Sequence, residues 1–362
     1  MPQSRRRTGF PRRSLNVGGM ASLVATALVL TGGPQYAAAP GQRDVSPSSQ
    51  GSARAGRLSS GGDSQPAVDS VPVRSLHVQG GVYMLVGAGG NVTVQIGDDG
   101  VLLVDTSFAE MSEKILAEIR KLSSKPIYWI VNTHGHRDHV GGNENLSKIG
   151  TDYLAPAGVQ IVAHENVLRR MSAPAGVQPP FGEALWPTDT FAGLRKEIFF
   201  NNEPVIVMHQ PAAHTDGDSL VFFRRSDVVS TGDVFQTTGY PVIDIEQGGT
   251  LSGVIDALNN ILDITVPRDK QEGGTYVIPG HGRLCDEHDV LEYRDMLTII
   301  RDRVEDAVRR GLTLDELKAM RPTLDYDARW GRTTGPWTAE RFLEVVYQEM
   351  KGRAGSTRDG GR

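Results

Sequence analysis

The sequence predicts an α/β protein made of two strand-rich halves with helices on their outer faces. Three observations carry that expectation. Short β-prone runs follow one another over 73–104 and again over 205–229, amphipathic helical patterns flank each series, and the candidate metal ligands fall where strand-like runs end.

The chain has 362 residues, nine His, one Cys and a formal net charge of −5. Its first 39 residues hold five Arg and no acid, then an apolar stretch over 20–30, then Ala37, Ala38 and Ala39. Basic, apolar and small residues in that order are the layout of a secretory signal, and Arg12 and Arg13 leave twin-arginine export open. The apolar stretch is too short to span a bilayer. A periplasmic or secreted protein is expected, with no stable membrane anchor after cleavage. Residues 40–70, rich in Ser, Gly, Pro and Arg, read as a disordered linker. A folded domain is expected over 71–311, a helical extension over 312–352 and a disordered tail over 353–362. Without the five leader Arg, 33 basic residues face 43 acidic ones. That balance suits a phosphate backbone poorly, so nucleic acid is excluded as a partner and a small-molecule substrate is expected. A single Cys permits no intramolecular disulfide, so the fold must rest on its core.

Within the domain, runs at 76–78, 82–86, 92–96 and 101–104 read as strands, and the turn over 97–100 joins the last two as a hairpin. Met111, Ile115, Ile119 and Leu122 mark one face of a helix. The run 126–131 is almost continuously apolar, as in a strand covered on both faces. Runs at 205–208, 219–223, 228–229 and 277–278 repeat the strand pattern, with a helix expected near 251–262. The stripe Val290, Tyr293, Leu297, Ile300 and Val304 marks a long helix that Gly311 ends. Beyond it, 312–350 holds two further helical patterns with Trp330 and Trp337 between them, which cap the core in the default reading and otherwise form a dimer contact or overhang the site. The Pro-rich stretch 172–193 reads as a long loop, whose Phe181, Leu185 and Trp186 either line a substrate cleft or pin the loop down.

The chemistry concentrates in 131–143, where His134, His136, Asp138 and His139 fall within six positions. Imidazoles and carboxylates are the ligands that zinc and similar divalent ions accept. If the backbone stays extended past Val131, then His134, His136 and Asp138 project to one side. His139 breaks the alternation and is the residue expected to reach a second ion. His214 opens a His-Thr-Asp-Gly-Asp stretch, Asp233 lies in Thr-Gly-Asp after 228–229, and His281 stands between two glycines after 277–278. Each sits at the end of a strand-like run with Gly nearby, the place where sheet proteins put chemistry. Asp216 and Asp218 are expected to shape the loop after His214. Asp105 ends the run 101–104. His164 ends 161–163 and is either a support beside the site or a helix-start or core residue. Tyr240 is either a substrate contact or an ordinary loop aromatic, and Cys285 is expected to be a buried, inert thiol.

The ordered set His-x-His-x-Asp-His, a lone His, Gly-Asp and Gly-His-Gly resembles the metallo-β-lactamase superfamily over about 73–310. It is similar in particular to the dinuclear hydrolases with the glyoxalase II-like ligand set. The resemblance implies an αββα sandwich with its ligands at one edge between the sheets. It implies two divalent ions, zinc foremost, with iron or manganese as alternatives. His134, His136 and His214 would hold the first ion; Asp138, His139 and His281 would hold the second, with Asp233 bridging them and Asp105 supporting the ligand loop. The reaction so implied is attack of a metal-activated hydroxide on the carbonyl of a lactam, lactone, ester or thioester, with Asp138 placed to orient or accept the water's proton. A class B β-lactamase proper is the sharpest version, and Asp233 at the bridging position departs from it. An iron-dependent oxidoreductase on the same fold is the alternative from another class.

Overall fold

The computed structural model describes residues 68–150, 158–172, 179–270 and 273–359, and the side chains of 150 and 355–359 are left aside. The segments expected to be a secretory signal, 1–39, and a linker, 40–70, lie outside the described residues except for 68–70.

Short turns and helical crossovers alternate in the first half, and they decide how its strands pair. β1 (Arg74–Gln79), β2 (Val82–Val86), β3 (Val92–Ile96) and β4 (Val101–Val104) follow one another through short connections and pair antiparallel. From β4 the connections lengthen. The helix α1 (Ser112–Leu122) crosses to β5 (Ile127–Val131), while α2 (Arg137–Val140) and α3 (Asn143–Gly150) precede β6 (Gln160–His164). Then α4 (Glu165–Met171) leads to β7 (Asp189–Phe191), so β4 to β7 pair parallel. A parallel neighbour needs such a crossover, whereas a two- or four-residue turn permits only a hairpin. These seven strands form one sheet in sequence order.

The second sheet has the order β13-β12-β11-β10-β9-β8, built from β8 (Arg195–Phe200), β9 (Glu203–His209), β10 (Ser219–Phe223), β11 (Val228–Ser230), β12 (Tyr276–Ile278) and β13 (Cys285–Asp286). Its only parallel pair, β11 with β12, is the one that spans the helix α5 (Leu251–Ile264). Period-two alternation sorts the side chains. Leu102, Val104 and Val131 meet Val207, Val221, Val228 and Ile278 between the sheets. Val101, Leu103 and Ile130 face the opposite way, onto Ile115 and Ile119 of α1. On the far side Leu220, Val229 and Val277 pack under α5 and α6 (Glu287–Arg309). The layers run helix, sheet, sheet, helix.

Three details differ from the sequence reading. The segment after Gly311 forms three helices rather than two: α7 (Leu314–Met320), α8 (Leu324–Trp330) and α9 (Ala339–Asp359), with Trp330 inside α8. Phe342, Val346 and Met350 of α9 join the core of α5 and α6, and the helix runs through residues assigned to a disordered tail. Finally, 172–193 is not one loop, because β7 adds an edge to the first sheet. Its short length and mixed composition leave no readable alternation.

One buried acid ties the two sheets together away from the histidines. Glu203 accepts from the Gln95 amide at 2.8 Å, the backbone N–H of Arg225 at 3.0 Å and of Ser226 at 2.9 Å, and the Ser226 hydroxyl at 2.8 Å. Glu203→Ala strands these buried donors, which costs about 1–3 kcal/mol apiece where no water replaces the acceptor. The expected outcome is a clear drop in the urea midpoint with the slope unchanged, measured by circular dichroism; an unchanged midpoint would refute this reading of Glu203.

Candidate metal centre

The ligand-rich loop begins where β5 runs out. His136 is still extended, with φ −75° and ψ 150°, and one turn of helix then starts at Arg137. This overturns the expectation that His134, His136 and Asp138 share a side. The helical turn swings Asp138 and His139 away together. Donor atoms therefore gather in three groups, each within 4.8 Å: His134 with His136 and His214, His134 with His139 and Asp233, and Asp138 with His139 and His281. All seven residues named from the sequence meet at one end of the sandwich. Reciprocal side-chain bonds between Asn132 and Asn143, at 3.1 and 2.8 Å, close the base of the loop.

Hydrogen bonds behind the ring nitrogens set which lone pairs face inward. The Nδ1–H of His214 donates to the Val242 carbonyl at 2.7 Å, and that of His139 to Asp105 at 2.8 Å. The Nε2–H of His136 donates to Asp244 at 2.9 Å. Behind His134, the Thr133 hydroxyl donates to Asp105 at 2.7 Å and so offers its lone pair to His134 Nδ1 at 3.1 Å. Each imidazole is thereby held as the tautomer whose bare nitrogen points at the centre. His214 Nε2 and His136 Nδ1 then stand 2.9 Å apart with a lone pair each. Nε2 of His134, Nε2 of His139 and Oδ1 of Asp233 are buried without a hydrogen-bond partner. Buried polar atoms are rarely left so. A set of facing lone pairs and an orphaned carboxylate oxygen fits divalent cations.

The electrostatics divide the donors: burial alone would lower His139 and His281, yet Asp233 with Asp105 holds His139 well above the ordinary imidazole value, and Asp233 with Asp138 takes His281 up to about 9. Burial, reinforced by the neighbouring His139, His214 and His136, holds His134 well below the ordinary imidazole value, and burial takes His214 down to about 4. Burial alone would raise Asp233, yet His139 and His281 beside it hold its carboxyl well below the usual range. Space around these groups is kept by glycines. A Cβ on Gly280 would lie 2.0 Å from Asp233 Oδ1, and one on Gly90 2.4 Å from the His139 ring.

Asp105 lies at φ +61°, a conformation few non-glycine residues adopt, and it accepts from Thr133 N–H at 2.8 Å as well as from the Thr133 hydroxyl and His139. His164 caps α4, its Nδ1 accepting from Asn166 N–H at 3.3 Å, and stacks on His209 with ring centres 3.5 Å apart. It reaches the site only through α4, whose Asn166 and Arg170 hold Asp216 in the loop after His214. Asp218 accepts from the Thr215 N–H and hydroxyl, both at 2.8 Å, and shapes that loop. Tyr240 does not reach a substrate. Its phenol donates to Asp327 at 3.0 Å and its ring stacks on Phe342, so it is held inside the C-terminal helices. The Cys285 thiol is buried and pushed up to about 12, chiefly by burial. Phe181, Leu185 and Trp186 pack on Val140, Ala163, Val167 and Met171 and so pin their loop.

Sequence reasoning missed Asp244, Gln247, Thr133 and the Val242 carbonyl. Asp244 lies 108 positions from the histidine it orients, and nothing in its neighbours marks it. The centre opens at His136, Asp138 and His281, each about a quarter exposed. Beside His281 a cleft of about 580 Å³ has Leu76, Met84, Val86 and Leu284 on its apolar wall and Arg283 and Arg332 at its edge.

The family model described as metallo-beta-lactamase superfamily matches residues 85–319, well over half of the chain. A linear primary-alkylsulfatase of Pseudomonas sp. (strain ATCC 19151) is 26% identical over 268 residues, 60% of this chain and 47% of that protein. A metallo-beta-lactamase type 2 of Bacillus sp. (strain 170) is 22% identical over 202 residues, 55% of this chain and 68% of that protein. The solved structure of an inverting sec-alkylsulfatase from Pseudomonas sp. matches with a TM-score of 0.55 at 18% identity, covering 76% of this chain and 50% of that one. The chain thus spans about half the length of the alkylsulfatases it matches.

Asp105→Asn keeps the shape of the side chain but replaces one acceptor oxygen with a donor facing Thr133 or His139. Loss of such a backing group typically weakens metal binding roughly 10–100-fold. Zinc titration of the apo protein is expected to show that loss, and unchanged affinity would remove Asp105 from the centre.

Proposed function

The chain belongs to the metallo-β-lactamase superfamily, and on that premise we propose that it is a hydrolase working with two divalent ions, zinc foremost. His134, His136 and His214 would hold the first ion and Asp138, His139 and His281 the second, with Asp233 beside His134 and His139. The observation that carries this reading is the convergence of seven buried or half-buried donors, four of them imidazoles whose backing contacts turn a bare nitrogen inward. Bound there, such ions would supply Lewis acidity, lowering the pKa of a water and polarising the oxygen of the scissile group.

The chain's own residues do the rest. Asp138 Oδ2 is 3.2 Å from His281 Nε2 and 3.7 Å from His139 Nε2, on the open side of the centre. Its carboxylate orients the attacking water and accepts its proton. Asp105, Asp244 and the Val242 carbonyl hold His139, His136 and His214 in fixed orientations. The cleft beside His281 receives the substrate's apolar part. An acyl substrate, whether lactam, lactone, ester or thioester, is the leading class. The sulfate ester of an apolar alcohol is the second reading, favoured by the apolar wall beside Arg283 and Arg332 and by the alkylsulfatase relatives. The basic, apolar and small-residue leader supports export, so that this chemistry takes place outside the cytoplasm.

Metal analysis of the purified protein is expected to give about two ions per chain, with chelator-sensitive hydrolysis in a panel of β-lactam, lactone, thioester and alkyl sulfate substrates. Asp138→Ala is expected to lower kcat by about 10²-fold or more while the circular dichroism spectrum stays the same. Retained turnover would sink the role given to Asp138, and one tightly held iron with oxygen consumption would move the protein to the oxidoreductase class.

A further inference from the structure

The C-terminal helices grip both ends of the segment that orients two of the metal-facing imidazoles. That segment runs from Gly239 to Gly253, and its middle supplies every backing contact on His136 and His214 described above. The Val242 carbonyl accepts from His214 Nδ1, the Asp244 carboxylate accepts from His136 Nε2, and the Gln247 amide donates to the same Asp244 oxygen at 2.8 Å. Asp244 N–H in turn donates to the His214 carbonyl at 3.0 Å.

Neither end is anchored by the sandwich alone. At the first end, Tyr240 N–H donates to the Trp330 carbonyl at 3.1 Å, and the Tyr240 hydroxyl donates to Asp327 at 3.0 Å. Its ring lies flat on Phe342 of α9, with centroids 4.7 Å apart and planes 6° from parallel. At the second end, Glu349 of α9 sits on the first turn of α5. Its carboxylate accepts from Leu251 N–H at 2.6 Å, Ser252 N–H at 3.1 Å and the Ser252 hydroxyl at 2.6 Å. A carboxylate there satisfies free N–H groups of the helix and meets its positive end. Thr250 caps the same turn from within the segment, through Gly253 N–H at 2.9 Å. Among the described residues no hydrogen bond joins Asp138, His139 or Asp233 to residues 239–253, and Asp105 backs His139.

We propose that Glu349 and Asp327 are positioning residues for the first metal ion: they hold a strap, residues 239–253, whose tension-free fit fixes His136 and His214. This rests on the two-ion reading above. The C-terminal helices are then part of the metal centre's scaffold, and their contribution falls on one ion and not on the other. The second ion serves as an internal control for folding.

The test is titration of apo protein with Co²⁺, followed by visible absorption and by calorimetry, on wild type, Glu349→Ala, Glu349→Gln and Asp327→Asn. Wild type is expected to fill two sites. Glu349→Ala is expected to keep one at wild-type affinity and weaken the other about tenfold or more, the size of effect seen when groups behind a ligand are removed. Glu349→Gln, which keeps one acceptor oxygen, is expected to restore part of that loss. Equal affinity for both ions in wild type and Glu349→Ala would overturn the proposal, as would equal weakening of both. Should Glu349→Ala fail to fold, Asp327→Asn decides the matter from the other anchor by the same criterion. If wild type binds a single ion, the two-ion reading falls, and whether Glu349→Ala weakens that ion still decides the strap.

Discussion

Asp105 is the constraint on which the rest of the centre depends. Two of the imidazoles, one from each donor group, trace back to this one carboxylate, His139 directly and His134 through the Thr133 hydroxyl. To reach them the backbone adopts a positive φ at Asp105 and again at Ser107, which is tolerable only where neighbouring bonds fix it. Those bonds are present. Asp105 N–H donates to the Val131 carbonyl at 2.9 Å and Thr106 N–H to the His139 carbonyl at 2.7 Å, extending the parallel pairing of β4 and β5 past its end. The strain is thus carried by the best-buried part of the first sheet, and what it secures is the tautomer of two ligands.

His136 and Asp138 share the loop after β5, and the other three ligands come from the second sheet. His214 lies between β9 and β10, Asp233 after β11 and His281 after β12. Donor convergence is therefore a statement about how the two sheets face each other. The apolar layer between them, from Val104 and Val131 to Val221 and Ile278, sets that relation. A layer of branched aliphatics packs with little freedom to slide, because interiors are close-packed. Two rigid halves meeting at one rim can hold a set of mutually repelling groups that a loop could not.

The sequence disclosed the donors and the strands that carry them. The seven ligand candidates follow strand-like runs with Gly nearby, and chemistry of that density leaves few other readings. Most of the strand runs are readable by alternation or apolar character, but β7, β8 and β13 are not. The four-residue turn α2 is not readable, since one turn is too short to show a period; an extended backbone would put Asp138 beside His136, whereas the resemblance groups it with His139 and His281, as the structure does. The residues behind the imidazoles were equally silent. Asp244 and Gln247 look like any polar loop pair, and Tyr240 was read as a candidate substrate contact because nothing local shows that Asp327 waits for its hydroxyl. Ligands announce themselves by type and spacing; the groups that orient them act across a hundred residues and are visible only in the fold.

The helices after Gly311 show the same principle at larger scale. By composition they read as a cap, and their apolar residues do join the core under α5 and α6. Packing alone, however, gives no reason for Glu349 to be acidic or for Tyr240 to carry its hydroxyl in so apolar a place. Burial pushes that phenol's pKa far above its ordinary value, with Asp327 adding to the effect, so the hydroxyl stays a donor at any physiological pH. A permanent donor against a carboxylate, and a carboxylate against the first turn of a helix, are both charge-assisted contacts, stronger and more directional than neutral ones. Directional bonds at both ends of a strap are what one expects where angular placement matters more than total stability. In this chain the angles so fixed are those of His136 and His214.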